Sequence, residues 1–392
     1  MNLNTEIKNL VLDHGALKAG FITRASVKGG PPSANITYNF PDAQSAVIFA
    51  VPLNRDKIRA FLRKEIPNGR AEHNKDNYDT YVKVYRISEV VRSYLEERGF
   101  KSVTISPNFK YRDANPRDWA SIFLAKPEIS LRYLAVRAGV GSFGWSGNIG
   151  IKGFGTAILL GGITTTAPLT ATDPIPSEES FCTKCMRCVQ VCAFRMFDAE
   201  EEERVTLEGF EFHYSKRRNI LRCIAVCLGY NGLDKTQNWS TWSPARYSYP
   251  ETDEAVVNTL VETFRLKPQV KFDGETSSFD FNRALAEDDK FAKELAENPI
   301  ARYNFQNTRL TCGNCQLVCR GDSGETLENY ELLVRSGFII RTKEGRSLKL
   351  PPDAKKQAAT LNVNQGKGIK DKIVGQYIKR QLLKMKPDEL RG

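Results

Sequence analysis

Nine cysteines fall in three short stretches, and their spacing points to iron–sulfur chemistry. Cys182, Cys185, Cys188 and Cys192 form a C-x2-C-x2-C-x3-C run, and Cys312, Cys315 and Cys319 form a C-x2-C-x3-C run. Cys223 and Cys227 lie between them in LRCIAVC. In proteins with two 4Fe–4S cubanes the first spacing gives three thiolates to one cluster and sends the fourth to its neighbour. Two intervening residues let successive thiolates wrap a compact cluster in a tight turn, and the x3 step starts a helix that carries the last sulfur away. The simplest assignment gives the first cluster Cys182, Cys185, Cys188 and Cys319. The second takes Cys192, Cys312, Cys315 and either Cys223 or Cys227, the remaining thiol behaving as a small buried hydrophobe. Zinc takes four ligands and favours C-x2-C pairs, which these two runs fit poorly. Disulfides belong to oxidising compartments.

The elements that must position these thiols are legible in outline. Residues 3–20 read as a helix ending at Gly20, and SAVIFAVPL (45–53) as a buried strand. TYVKVYRISEVVRSYLEERGF (80–100) has helical periodicity and stops at Gly99; KSVTISP (101–107) follows as a strand. ISLRYLAVRAG (129–139) is helical, and the glycine-rich 139–155 opens into a pair of β-like runs over 156–169. The cysteine-rich module begins near Phe181. Gly139, Gly141 and Gly144 match G-x-G-x-x-G, but a dinucleotide fingerprint follows a strand and opens a helix. Here the order is reversed, so a loop hugging another large ligand, or plain turns, fits better.

The chain has 392 residues, 41% hydrophobic and 26% charged, as in an ordinary globular protein of two domains. No apolar stretch approaches a membrane span, and the start MNLNTEIKNLVLDHG has neither a basic n-region nor an apolar h-region. The expected location is the cytoplasm, where thiols stay reduced. Net charge is +11, and residues 341–392 hold 14 Lys and Arg against 5 Asp and Glu. That tail suits an acidic partner or nucleic acid. It equally suits the solvated face of a terminal helix, since Ile373, Val374, Tyr377, Ile378, Leu382 and Met385 recur at helical spacing.

The order of these features resembles the corrinoid iron–sulfur reductases, the family of reductive dehalogenases and epoxyqueuosine reductases. FPDAQSAVIFAVPL (40–53), YLAVRAGVGSFGWSGNIGI (133–151), ITTTAPL (163–169), DPIPSEESFCTKCMRC and CGNCQLVC carry the likeness, and LRCIAVC resembles the stretch that supplies an isolated cysteine, favouring Cys223 over Cys227. The resemblance spans roughly 40–227 and 310–320. It implies an α/β (α+β) fold: a nitroreductase-like domain over 1–175 that holds cobalamin base-off, beside a ferredoxin-like module with two 4Fe–4S clusters over 176–325. Residues 228–310 would be an insertion in that module and 326–392 a basic extension. Reduced ferredoxin or flavodoxin would deliver electrons through the second and then the first cluster to cobalt. The substrate would be a small organic molecule, or tRNA in the epoxyqueuosine branch; a two-cluster electron carrier without corrinoid is the alternative from another class.

The same resemblance puts Gly139, Gly141, Gly144, Trp145, Gly147 and Asn148 at the corrinoid, Trp145 serving as pocket wall or core. Tyr81, or failing that Tyr78, matches the dehalogenase proton donor, with packing on an amphipathic helix as the plain reading, and Asn108 matches a substrate-side asparagine. No D-x-H-x-x-G stretch is present, so histidine ligation of cobalt is not implied. The departures are specific. Trp145 stands where dehalogenases have a basic residue, Leu131 where epoxyqueuosine reductases have an acid, and Ala193 and Arg320 where prolines follow the cysteine runs. The aromatics Trp239, Trp242, Tyr247 and Tyr249 would suit a lid over an apolar substrate.

Overall fold

Strand Ser45–Pro52 (β2) is apolar at almost every position because both its faces are buried. Val47, Phe49 and Val51 face one core, and Ala46, Ile48 and Ala50 face a second. The computed structural model describes residues 2–66, 69–105, 112, 127–227, 251–258, 312–341 and 347–351. Within them the fold is mixed α/β with antiparallel sheets. Strand Lys18–Thr23 (β1), β2, Ile158–Thr165 (β6) and Ser102–Ile105 (β3) form the main sheet in the order β1-β2-β6-β3, every neighbour antiparallel.

Helices Leu3–Asp13 (α1), Arg55–Leu62 (α2) and Gly69–Glu96 (α3) contribute to the first core. α1 ends at Asp13 because Gly15 takes φ +88, a left-handed stop, and the chain then turns into β1. The helix expected over 3–20 is therefore shorter, and Gly20 lies inside a strand. The second core is closed by the helix Leu131–Arg137. The two β-like runs expected over 156–169 are one continuous strand, β6. Its Gly161 leaves room for Phe49 and Val84, where an added Cβ would come within 2.7 Å of Val84.

Two short strands, Ser142–Phe143 (β4) and Ile149–Gly150 (β5), make a tight hairpin from the glycine-rich segment. A longer hairpin, Phe197–Leu207 (β7) with Phe210–Arg217 (β8), follows the first cysteine run. Its two-residue turn has φ +50 at Glu208 and +83 at Gly209, the turn chemistry that matches strand twist. The buried Arg137 pairs with Glu208 of that turn and donates to the Thr172 carbonyl at 2.8 Å. The arginine of the A-x-R-A-G stretch thus fastens the hairpin to the second core. Helix Ser323–Arg335, capped by Asp322 on the Glu325 amide, returns to α2, where the buried Lys64 ammonium donates to the Leu333 carbonyl at 2.5 Å.

Candidate iron–sulfur site

Each cysteine run makes a left-handed turn and then a short helix. Lys184 and Met186, at φ +53 and +59, precede Arg187–Gln190, and Gly313 at φ +60 precedes Asn314–Leu317. Non-glycine residues in that region carry a local cost, and such strain collects at functional sites. The first turn groups Cys182, Cys185 and Cys188, and the short helix lifts Cys192 away.

The second run docks on the turn between β5 and β6. Gly155, at φ +59, would place a Cβ 2.5 Å from the carbonyl carbon and Cα of Arg320 and closer still to the Cys319 carbonyl oxygen. The Thr156 amide donates to that oxygen at 3.3 Å, and the Thr156 hydroxyl to the Gln316 carbonyl at 2.7 Å. Phe181 lies against the backbone of Gly144 and Gly150, where Cβ atoms would come within 2.9 and 2.6 Å of its ring. The glycine-rich segment therefore seats both cysteine runs.

Cys223 reaches the site on the helix Leu221–Cys227. The buried Arg222 anchors this helix, donating to the Phe194 carbonyl at 3.1 Å and to Asp253 at 2.9 and 3.0 Å. Phe194 is two residues past Cys192, so the anchor brings Cys223 beside Cys192.

The thiols sort into two neighbourhoods. The sulfurs of Cys188 and Cys319 both feel Cys182 and Cys185. Cys192, Cys312 and Cys315 all feel Cys223. The two groups adjoin, and Cys188 feels Cys315 of the second group more than any thiol of its own. Burial pushes the Cys192 thiol up to about 12 and Cys315 to about 11, and raises Cys188, Cys312 and Cys319. Left alone these thiols stay protonated at neutral pH; a bound metal reverses that, because a coordinating thiol is deprotonated outright.

Donors already face the sulfurs. The Trp145 amide donates to Cys182 Sγ at 3.3 Å, the Met196 amide to Cys192 Sγ at 3.1 Å, and Asn148 Nδ2 to Cys315 Sγ at 3.5 Å. A cavity lined by Trp145, Phe181, Cys182, Cys185, Cys188 and Cys319 opens at the first group. Among the described residues no three His, Cys, Asp or Glu side chains converge tightly enough to hold one metal ion. A cubane takes one thiolate on each of four irons, so its ligands surround a cluster instead of meeting at a point. The donor set, its grouping and its N–H donors fit such clusters.

The other sequence-identified residues are placed as follows. Trp145 is buried, its Nε1 donating to the Asp198 carbonyl at 2.8 Å. The side-chain faces of Gly139, Gly141, Gly144 and Gly147 are filled by Asp173, Gly150, Phe181 and Arg217 respectively, which leaves no open corrin cradle on those faces. Tyr78 and Tyr81 are partly buried on α3, and Tyr81 packs on the same core that Cys312 and Cys315 border. Asn108, the aromatics of 238–249 and the segment 373–385 expected to be helical lie outside the described residues. The sequence reading missed Arg132, Tyr133, Tyr214 and Arg217, which gather around the Ser146–Gly147 turn. The alternation in β8 and the Glu-Gly turn before it were the available signals.

No family model matches the chain, and no curated protein matches it. Solved structures do. A catabolic reductive dehalogenase matches at 14% identity and TM-score 0.41, over 56% of this chain and 28% of its own. An epoxyqueuosine reductase with a tRNA-Tyr epoxyqueuosine-modified stem loop matches at 16% identity and TM-score 0.38, over 60% of each chain. The Bacillus subtilis epoxyqueuosine reductase matches at 14% identity and TM-score 0.40, over 85% of this chain and 81% of its own. The match to the dehalogenase thus spans less than a third of that protein's length. No helix among the described residues is long and apolar enough to cross a membrane.

Proposed function

We propose that the chain is an iron–sulfur reductase with two 4Fe–4S clusters, serving a base-off cobalamin that reduces an organic substrate. Cys182, Cys185, Cys188 and Cys319 would hold one cluster, and Cys192, Cys223, Cys312 and Cys315 the other. The observation that supports this most is the grouping of eight thiols from three separate stretches, all but Cys185 at least partly buried, into two sets of four. When bound, the clusters supply single electrons and the corrinoid supplies the substrate-reducing centre.

The chain's own residues do the rest. The amides of Trp145 and Met196 and the side chain of Asn148 orient the thiolates and stabilise their charge. Trp145 and Phe181, both buried, wall one side of the first thiol group, whose Cys185 is exposed. The corrinoid rests on the sequence resemblance, with the segment 139–148 meeting it through backbone groups and Asn148. Tyr81, or Tyr78, and Asn108 are the proposed proton donor and substrate contact. Reduced ferredoxin or flavodoxin is the proposed donor and the cytoplasm the proposed location. Dehalogenation is the leading reaction. The basic tail supports a second reading, reduction of a modified base in tRNA, which requires tRNA binding that weakens steeply with salt.

Anaerobic reconstitution with iron, sulfide and cobalamin tests the proposal. Stoichiometric cobalt with a base-off cobalt(II) EPR signal is expected. Clusters that assemble while cobalt washes off would make the protein an electron carrier.

A further inference from the structure

Two guanidinium groups converge on the turn beside the second thiol group. Arg132 Nη1 donates to the Gly147 carbonyl at 2.9 Å, and Arg217 Nη2 to the Ser146 carbonyl at 2.9 Å. The next residue, Asn148, is the one whose amide donates to Cys315 Sγ. An added Cβ on Gly147 would lie 2.7 Å from Arg217 Nη2, so the arginine is packed directly on this turn. Arg217 Nε is buried with no hydrogen-bond partner.

Among the described residues neither arginine is ion-paired to a carboxylate within 4.0 Å. Glu203 is the carboxylate whose charge reaches Arg132. Tyr133 and Tyr214 complete the surroundings, their hydroxyls 3.4 Å apart. Burial, and then the like charge of Arg217, lowers the Arg132 pKa to about 10. The charge of Arg217 is felt at the Cys315 sulfur. Two like charges held together in a partly buried site need a negative partner.

The first thiol group is served differently. Arg320, next to Cys319, has Glu325 at 3.6 Å. Lys184, between Cys182 and Cys185, has Glu202 at 2.6 Å. Lys184 thus brings its own carboxylate, whereas Arg320 shares Glu325 with Arg55, which lies closer to it.

We infer that Arg132 and Arg217 supply the counter-charge of the second cluster and selectively raise its reduction potential. This rests on the two-cluster reading above. A 4Fe–4S cluster with four thiolates is anionic and gains a further negative charge on reduction, so a nearby cation favours the reduced form. The same field, with the Asn148 hydrogen bond, makes the second cluster the place where an electron rests between turnovers. Both arginines act as positioning residues through charge; neither touches the substrate in this account.

The test is an EPR-monitored redox titration of the reconstituted full-length chain and of Arg217→Gln, Arg217→Lys and Arg132→Gln. Iron is counted in each sample first. With all irons present, the two Gln variants should shift the second cluster to more negative potential and leave the first in place, and Arg217→Lys should recover most of the shift. An unmoved second cluster in both Gln variants, equal shifts of both clusters, or Arg217→Lys behaving like Arg217→Gln would overturn the inference. Failure of the unsubstituted chain to hold two clusters would instead overturn the reading beneath it.

Discussion

Gly155 and Gly153 stand two residues apart in the turn that seats the second cysteine run, and alanine at each should cost very different amounts. Both have φ in the left-handed region, +59 and +82. For an L-residue that conformation costs roughly 1–2 kcal/mol. At Gly153 a Cβ meets nothing within 4 Å, so the backbone term is the whole expected cost of Gly153→Ala. At Gly155 it also meets backbone atoms of Cys319 and Arg320, which cannot swing aside as a flexible side chain would. Forcing an extra methyl group into a packed site adds about 1–3 kcal/mol. Gly155→Ala should therefore lose about 2–5 kcal/mol against about 1–2 for Gly153→Ala. Denaturant unfolding of both variants with the same slope isolates the difference, because the backbone term is common to both. Gly155→Ala should also assemble less of the cluster that needs Cys319. Equal losses of midpoint would refute the claim that this turn is the seat of the second run.

Three further outcomes follow from the same contacts. Phe181→Ala removes the ring that covers Gly144 and Gly150 and should destabilise the chain by about 3–5 kcal/mol, read from the thermal midpoint, with iron retention falling alongside it. Burial against Phe61, whose ring centroid is 4.9 Å away, lowers the His73 pKa to about 4. The unfolded imidazole binds its proton near pH 6.5, so between those values the unfolded state carries the extra proton and stability falls with acidification, by ~3 kcal/mol over the full window. His73→Phe should flatten the urea-midpoint curve across that window, and an unchanged slope would count against a buried neutral imidazole. Cys223→Ser should lose iron from the second cluster while Cys227→Ser keeps the full complement; the reverse pattern would reassign the eighth ligand.

The cysteine runs were legible because ligand spacing is a local property: the left-handed turn and short helix at each run follow from two- and three-residue steps. β2 was legible because a strand buried on both faces reads as one apolar run. The end of α1 was misplaced because two glycines compete for the role. Gly15 is the helix stop, whereas Gly20 is needed where β1 crosses close to the Ala138 carbonyl and Thr172, whose Oγ1 would lie 2.9 Å from a Cβ. β6 looked like two runs because Gly161 and Gly162 resemble a turn, but their small size serves packing between layers. The β7–β8 hairpin went unseen because DAEEEER looks like a solvated acidic loop, and its exposed face is indeed charged. Missing that hairpin also hid Arg217 and Tyr214, whose importance comes from packing against residues 71 and 81 positions earlier.

Iron and acid-labile sulfide per chain, measured on anaerobically reconstituted protein, test the central claim most directly. Two cubanes on eight cysteines predict about eight irons and as many sulfides, with EPR signals of two interacting 4Fe–4S clusters on reduction. About four irons, or stoichiometric zinc with no sulfide, would contradict the division of these thiols into two cluster sites.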